Sequence, residues 1–377
     1  MKHILTATML ALLPLCAAAE KNEPAADVAK KPARQRIEVC FVLDTTGSMG
    51  GLIAGAKAKI WSMANDIISA KPTPEVRFAL IAYRDRGDDY VTKITPLTDD
   101  LDAVYAQLNG FQAAGGGDFP ESVGRALDES VRKIEWTKDT SVLKIIYLVG
   151  DAPPHFYKDE PDWKKVCQEA VKRDLIINTV QCGNEAETTR VWKEIADRAE
   201  GAFAAIPQDG GVVAIAAPQD KELGELNTKV GRTMIGYGDT RMRRFVAGKQ
   251  MAAEAAPAPA AAARLSYNAK SGKTVQGDGE LLDAIAEKKV TLDKVKKDEL
   301  PEELRKLSPD ELKAHVEKMQ KERAELQKRI TQLSKERDAY IEAERKKLAK
   351  SGKGDGFDEQ VSKSLRVQAK KKGIKYE

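Results

Sequence analysis

Cysteine is scarce in this 377-residue chain, which contains only four. Cys16 lies in the apolar N-terminal segment, so Cys40, Cys167 and Cys182 are the three that remain in the rest of the chain. Three cysteines are too few to staple a fold together, and a chain of this length is long enough to bury a large core. We therefore expect Cys40 and Cys182 to be small buried side chains in strands, and a Cys167–Cys182 disulfide is the less favoured alternative.

Long apolar runs are also lacking. The one clear run, residues 4–15, follows a lysine and precedes three alanines at positions 17–19. This arrangement predicts a cleaved signal peptide over residues 1–19, and hence a periplasmic or secreted mature protein that begins at Glu20. The run is too short to span a bilayer, and no later stretch approaches the roughly 20 apolar residues that a transmembrane helix needs.

Histidine is rare as well, and the charges nearly balance. After residue 19 only His155 and His315 remain, and no nucleophile with an adjacent base is evident, so we expect no enzymatic activity. The chain has 62 basic and 58 acidic residues. Its first two thirds contain no clustered basic face with interleaved aromatic residues, which argues against a nucleic-acid partner.

Strand-like and helix-like segments alternate from residue 36 to residue 238. The first strand, RIEVCFVLD at residues 36–44, is a continuous apolar run of the kind that is buried on both faces of a sheet. The alternation predicts an α/β fold with a doubly wound, mostly parallel six-stranded sheet and helices on both faces. A helix over residues 221–235 is expected to close this domain, and residues 20–35 before it are expected to form a flexible leader.

The composition changes after residue 238. Residues 239–280 are rich in alanine and proline and predict a linker, and residues 281–307 predict a small helical segment. Ser308 begins a helix predicted over residues 308–350. Its apolar residues recur at heptad spacing, which indicates a coiled coil that would pair two copies of the chain, although Arg323 and Arg337 interrupt the seam. A single helix lying on the globular domain is the alternative, and residues 351–377 are expected to form a basic tail.

Oxygen-bearing side chains follow the first predicted strand. Asp44 ends the strand, and Thr46 and Ser48 lie on the turn into the next helix. Ligands of doubly wound sheets bind at the carboxyl ends of the strands, and hard cations such as Mg²⁺ prefer oxygen ligands. The sequence therefore predicts a cation site at this turn.

The motif that begins at Asp44, DTTGSM, resembles the metal ion-dependent adhesion site (MIDAS) of von Willebrand factor type A (VWA) domains. The resemblance covers about residues 36–238, and the phrases GGGDFPE and GDAPPH are similar to those of a bacterial, exported branch of the family. It implies a divalent cation, with Mg²⁺ favoured over Mn²⁺ or Ca²⁺, and the ligands Asp44, Thr46, Ser48, Asp118 and Asp151.

The resemblance also implies a role. One coordination position would receive an exposed Asp or Glu of a protein partner, which suggests an adhesion or scaffold protein. Asp118 stands where the family usually has threonine, and a third carboxylate would make the cation a weaker electrophile. Four neighbouring residues are expected at the rim of the site in structural roles: Tyr83, Asp85, Glu121 and His155.

Two enzyme classes with similar motifs do not fit the sequence. An aspartic protease would need an all-β fold and a second Asp-Thr-Gly-Ser copy, and a phosphotransferase of the haloacid-dehalogenase type would need an aspartate in place of Thr46. Two alternatives stay open. One is a metal-assisted hydrolase with Asp118 or His155 as the base, and the other is a purely structural envelope scaffold that acts through its coiled coil.

Overall fold

Six strands form one sheet in the computed structural model, which describes residues 35–117, 119–211, 215–351 and 356–376. They are β1 (Arg36–Asp44), β2 (Glu75–Tyr83), β3 (Thr92–Thr98), β4 (Leu143–Gly150), β5 (Ile176–Cys182) and β6 (Phe203–Ile206). Their order is β3-β2-β1-β4-β5-β6, and only the β2–β3 pair is antiparallel. This confirms the predicted six-stranded, mostly parallel sheet. The predicted signal peptide and all but the last residue of the predicted leader lie outside the described residues.

β1 lies at the centre of the sheet, and its side chains alternate between two apolar cores. Phe41 and Leu43 contribute to the core on one face, whereas Cys40 and Val42 contribute to the core on the other. A continuous apolar sequence is needed here because both faces of the strand are covered. Cys40, Cys167 and Cys182 are all buried and free, so the alternative Cys167–Cys182 disulfide is absent.

Helices cover both faces of the sheet, as the alternating pattern predicted. One face packs against α1 (Gly50–Ile67) and α2 (Leu101–Gly110). The opposite face packs against α3 (Val123–Arg132), α4 (Trp163–Lys172) and α5 (Ala186–Arg198). The carboxyl ends of β1 and β4 therefore lie at one edge of a sheet whose two faces are covered by helices.

The segment predicted as an Ala/Pro-rich linker, residues 239–280, is instead largely helical. It forms α7 (Thr240–Ala255) and α8 (Ala258–Ser271), and four consecutive alanines of α8, at positions 260–263, are buried. The linker prediction was wrong because alanine allows α8 to pack closely on its neighbours: the Asn65 side-chain amide donates to the Ala263 carbonyl at 2.7 Å. Proline does not break α8 because Pro259 lies in its first turn, where no helical hydrogen bond is lost.

A 42-residue helix, α11 (Pro309–Lys350), follows the short helices α9 (Leu281–Ala286) and α10 (Glu302–Arg305). Its N-terminus has the predicted capping box of Ser308 and Glu311. Ile330 and Leu333 of the predicted coiled-coil seam are buried in a core shared with α8 and with α6 (Asp220–Gly231). The seam therefore packs on the same chain, as in the alternative of a single helix lying on the globular domain.

The last helix, α12 (Gly356–Lys371), completes the sheet's cover. Phe357, Val361 and Leu365 are buried in the core that α1 shares with the sheet. The basic tail predicted for residues 351–377 is thus mostly a packed helix, because its apolar residues recur every four positions on one face. The predicted closing helix, residues 221–235, corresponds to α6, which packs on α8 and α11 and contributes no residue to the sheet's two cores.

No boundary separates two bodies near residue 238. The described residues form one compact unit, in which α12 returns to the sheet after α6 to α11 have packed beside it. Within these residues no helix is both long enough and apolar enough to cross a membrane.

Candidate metal centre

Asp44 lies at the carboxyl end of β1 and is fully buried. Its Oδ1 accepts two hydrogen bonds from Thr46, one from the amide at 2.8 Å and one from the hydroxyl at 2.7 Å. Its Oδ2 has no hydrogen-bond donor among the described residues. A buried carboxylate oxygen without a donor is costly, so a positively charged or hydrogen-bonding group is expected to bind here.

Thr46 and Ser48 form the wall of the site beside Asp44. A single turn of 3₁₀ helix at residues 47–49 joins β1 to α1, and it places the two hydroxyl oxygens 3.4 Å apart. Thr46 is buried, whereas Ser48 is exposed. The site therefore extends from a buried carboxylate at its base to a hydroxyl at its rim.

Asp151 follows β4, the strand next to β1, and is largely buried. Its Oδ2 accepts a hydrogen bond of 2.6 Å from the Gln208 side chain, in the loop after β6. Glycine precedes it for a steric reason: a Cβ atom at Gly150 would lie 2.9 Å from the Asp44 Cβ and 2.5 Å from the Tyr83 hydroxyl. The close approach of the two strand ends thus brings Asp151 beside Asp44.

The acidic side chains of the site are buried close to one another, and this raises the pKa of two of them. Burial raises the pKa of Asp44 to about 7, against the opposing effect of its hydrogen bonds to Thr46, and repulsion by Asp151 adds to the increase. Burial also raises the pKa of Glu121 to about 9, with further contributions from Asp44 and other nearby carboxylates. A divalent cation would relieve both effects because it favours the ionised carboxylates.

Asp118 lies outside the described residues, and the glycines before it are described. The Gly116 amide donates to both carboxylate oxygens of Asp88, at 3.1 and 3.2 Å, and the Gly47 amide donates to the Gly115 carbonyl at 3.2 Å. The glycine-rich loop is therefore attached to the turn that carries Thr46 and Ser48. The structure brings four of the five predicted ligands to one edge of the sheet and leaves the fifth undescribed.

Of the four predicted rim residues, Asp85 and His155 have the structural contacts expected of them. Asp85 accepts hydrogen bonds of 2.6 Å from Ser122 and from Tyr157, and the His155 ring stacks on the Tyr157 ring at 4.0 Å. Tyr83 and Glu121 differ, because the Tyr83 hydroxyl and the Glu121 Oε2 are buried and have no partner among the described residues.

Sequence reasoning did not identify Gln208 or Asp88. Gln208 lies in the loop that follows β6. Its contact with Asp151 depends on how β4, β5 and β6 are ordered in the sheet. Asp88 lies 28 positions before the glycine that it binds. Nothing in the GGG run indicated that its Gly116 amide would donate to the Asp88 carboxylate.

The donor set fits a hard divalent cation. All side-chain donors are oxygens, two carboxylates and two hydroxyls, and one carboxylate oxygen has no other partner. In the described part of the chain no three Asp, Glu, His or Cys side chains are grouped so as to hold a metal by themselves. A cation here would therefore depend on the hydroxyls and on water in addition to Asp44 and Asp151.

Residues 38–217 match a family model described as the von Willebrand factor A domain. The match supports a VWA domain in this part of the chain. It includes the buried carboxylate, both hydroxyls and Asp151. The mostly parallel sheet and its two helical layers are consistent with it, and domains of this family generally mediate protein interactions.

Two curated proteins are similar to part of this chain. von Willebrand factor A domain-containing protein 7 of Homo sapiens is 35% identical over 114 residues, which is 30% of this chain and 12% of that protein. A putative ariadne-like RING finger protein of Acanthamoeba polyphaga mimivirus is 23% identical over 158 residues, which is 37% of this chain and 15% of that protein. The chain therefore spans less than a sixth of the length of either relative.

Matches to solved structures have lower sequence identity. The SpRpn10 VWA domain is 12% identical, with a TM-score of 0.36, over 46% of this chain and 89% of that one. Proximal thread matrix protein 1 from the mussel byssus, in a structure whose MIDAS motif is occupied by zinc, is 15% identical with a TM-score of 0.36 over 47% of this chain and 43% of that one.

Proposed function

We propose that this protein is a metal-dependent protein-binding module of adhesion or scaffold type. In this proposal Asp44, Thr46, Ser48 and Asp151 hold a divalent cation directly or through water, and Asp118 is the fifth ligand. A remaining coordination position receives an exposed Asp or Glu of the partner. The observation that carries the proposal is the Asp44 carboxylate, buried at the end of β1 with one oxygen lacking any donor in the described chain and two hydroxyl residues beside it.

Mg²⁺ is the cation we favour, with Mn²⁺ or Ca²⁺ as substitutes. The side-chain donors are all oxygens, which suits hard cations. The hydroxyls of Thr46 and Ser48 are neutral, so Asp44 and Asp151 only balance the formal charge of the ion and leave a position for a further oxygen ligand. Asp118 as a third carboxylate would weaken the attraction for an anionic group. A partner's carboxylate is the protein group proposed to fill the remaining position.

A protein partner is supported by apolar surface near the cation site. Phe156 is 84% exposed and Phe119 is 49% exposed. Phe119 lies in the glycine-rich loop, and Phe156 follows His155, whose amide donates to the Glu121 carbonyl. Exposed aromatic side chains beside a charged centre are typical anchors of protein interfaces.

A hydrolytic role is the weaker candidate. The His155 ring stacks on Tyr157 and faces Asp85 at 3.5 Å, so it is held within the rim by neighbouring side chains. A general base would instead need to reach a metal-bound water. We accordingly propose a binding protein and expect no turnover of an ester and phosphate substrate panel in Mg²⁺.

Export is a further part of the proposal and depends on the sequence of residues 1–19 alone. A charged residue, an apolar run and small residues in that order favour cleavage before Glu20 and a periplasmic or secreted location. Mass spectrometry of the protein recovered from cell fractions is expected to show Glu20 as the N-terminal residue. Retention of residues 1–19 in a cytoplasmic fraction would contradict export.

The binding function is tested by capture of partners from an envelope extract with the immobilised full-length chain. We expect a partner that is retained in Mg²⁺, released by EDTA and not retained by the Asp44→Ala variant. Asp89→Ala is the matched control, because Asp89 is an 88% exposed acidic residue that pairs with Arg84. Substituting the partner's exposed acidic residues one at a time is expected to abolish capture at a single position. Retention that survives both EDTA and Asp44→Ala would refute the proposal.

A further inference from the structure

Glu121 stands out among the acidic side chains around the cation site. Asp85 accepts hydrogen bonds on both carboxylate oxygens, from Ser122 and Tyr157, and Asp88 accepts them from the Gly116 amide. Glu121 is only 3% exposed, yet its Oε2 has no donor among the described residues. Glu121 therefore differs from Asp85 and Asp88, whose carboxylate oxygens all accept hydrogen bonds.

The backbone of Glu121 is fixed between the two loops of the site. Its amide donates to the Pro153 carbonyl at 3.0 Å, and its carbonyl accepts from the His155 amide at 2.7 Å. Its side chain extends toward the β1 turn, because Oε1 and the Thr46 Cβ both lie 3.3 Å from the point that a Cβ atom on Gly116 would occupy. The Glu121 Oε1 and Thr46 therefore border the same space beside Gly116.

The missing donor indicates what the carboxylate would bind. An ionised, buried carboxylate needs hydrogen bonds or positive charge, and water bound to a divalent cation offers polarised O–H donors. A direct bond from Glu121 to the ion is not required. No three acidic side chains in the described chain are grouped closely enough to hold a metal together.

We propose that Glu121 is an outer-sphere ligand of the cation and accepts a hydrogen bond from a metal-bound water through Oε2. This inference rests on the proposed cation site. It adds a third negative charge to the site independently of Asp118. Glu121 would thus increase the affinity for the cation and reduce the ion's attraction for a partner's carboxylate.

The test is calorimetric titration of the full-length chain with Mn²⁺, comparing wild type with Glu121→Gln. Loss of an outer-sphere carboxylate is expected to lower the Mn²⁺ affinity by roughly 10- to 100-fold. In EDTA the same variant is expected to melt at a higher temperature than wild type, because wild type must either bury the Glu121 charge or take up a proton when it folds, whereas glutamine does neither. A purely structural glutamate would leave the Mn²⁺ affinity unchanged.

Asp89→Asn is the matched control, because it removes an equal charge from the rim at an 88% exposed position. We expect it to change the Mn²⁺ affinity by less than about twofold, as solvent screens exposed charges. If Glu121→Gln unfolds the chain, Glu121→Asp keeps the charge but withdraws the oxygen, and it should also weaken Mn²⁺ binding.

Two outcomes would overturn the inference, and they differ. If both Glu121 variants bound Mn²⁺ with wild-type affinity, Glu121 would not be a ligand of the cation, but the proposed cation site would stand. A wild-type chain that binds no Mn²⁺ would refute the proposed function and this inference together.

Discussion

Gly150 occupies a position where no side chain fits between two strand ends. A Cβ atom there would lie 2.5 Å from the Tyr83 hydroxyl and 2.9 Å from the Asp44 Cβ. Contacts this short require the neighbours to move, and both are fully buried. The glycine therefore sets the separation between Asp44 and Asp151.

Gly150→Ala is expected to destabilise the folded chain by roughly 1–3 kcal/mol through overpacking, and to weaken Mn²⁺ binding. Urea unfolding and Mn²⁺ titration measure the two effects. Gly248→Ala is the control, because nothing lies within 4 Å of its Cβ position in α7. That substitution is expected to stabilise the helix by roughly 0.5–1 kcal/mol. Wild-type stability and binding in Gly150→Ala would contradict the steric argument.

The buried carboxyl of Asp44 predicts a pH dependence with a defined sign. Burial raises its pKa from 3.8 to about 7, so the folded chain holds this proton more tightly than the unfolded chain does. In EDTA the stability contributed by this group is complete below about pH 4 and is lost as the pH rises through about 7. Since Mg²⁺ competes with the proton, the gain in melting temperature on adding Mg²⁺ should be larger at about pH 8 than at about pH 5. Scanning calorimetry with Asp44→Asn as reference checks this, and an equal gain at both pH values would argue against it.

α11 is attached to the rest of the chain by buried ion pairs at the two positions that interrupt its apolar seam. Arg323 binds Glu280 at 2.9 Å and Asp283 at 3.0 Å, and Arg337 binds Asp220 at 2.6 Å. Two arginines on the seam disfavour a simple coiled coil. Both are instead paired with acidic residues of the same chain.

Arg323→Ala is expected to destabilise the chain by roughly 3–5 kcal/mol, because it leaves Glu280 and Asp283 buried without their counter-charge. Arg329→Ala, on the same helix, removes an ion pair with Glu222 in which both side chains are 44% exposed. Its cost is expected to be under about 1 kcal/mol. Urea unfolding compares the two variants, and equal costs would show that the Arg323 network contributes no more than a surface pair.

α12 behaves as part of the domain that contains the sheet. Its Leu365 is 1% exposed, and the Tyr147 hydroxyl of β4 donates to the Val361 carbonyl at 3.1 Å. Asn178 of β5 and Gln368 exchange side-chain hydrogen bonds of 3.0 and 2.6 Å. The helix at the end of the chain therefore covers strands encoded about 200 residues earlier.

Leu365→Ala is expected to cost roughly 2–5 kcal/mol of folding stability, as for other large-to-small core substitutions. Val367→Ala, on the same helix but 60% exposed, is expected to stay within about 0.5 kcal/mol of wild type. Thermal or urea unfolding distinguishes them. A Leu365→Ala chain as stable as wild type would mean that α12 is dispensable for the sheet.

The elements that could be predicted from sequence are those with strong periodicity. β1 has the predicted bounds, and α11 begins at the predicted capping box, because local patterns determine both. α8 was missed since four consecutive alanines make up much of its buried surface, and alanine gives little hydrophobic contrast. The role of α12 was missed for a different reason. Its apolar face can be recognised in the sequence. Its position on the sheet, however, depends on how α6 to α11 bring the end of the chain back to the sheet.

At the scale of the whole molecule, most of the proposed site could be predicted, but its completion could not. Asp44, Thr46, Ser48 and Asp151 lie at or just after the ends of neighbouring parallel strands, and the alternation of strands and helices predicted a site at the carboxyl ends of such strands. The hydrogen bond from Gln208 to Asp151 depends on tertiary packing, and so does the lack of a donor to Glu121 Oε2 among the described residues. The same packing joins residues on both sides of position 238 into one unit, so the region that matches the VWA family model is folded together with the C-terminal helices.

We propose that one divalent cation binds between the ends of β1 and β4. Crystals of the full-length chain soaked in Mn²⁺ and measured at a wavelength where manganese scatters anomalously give the most direct test. We predict a single strong anomalous peak beside Asp44, Thr46, Ser48 and Asp151, with the nearest oxygens at about 2.0–2.6 Å, and no such peak in Asp44→Asn crystals. A peak elsewhere, or no peak in the wild-type chain, would contradict the account.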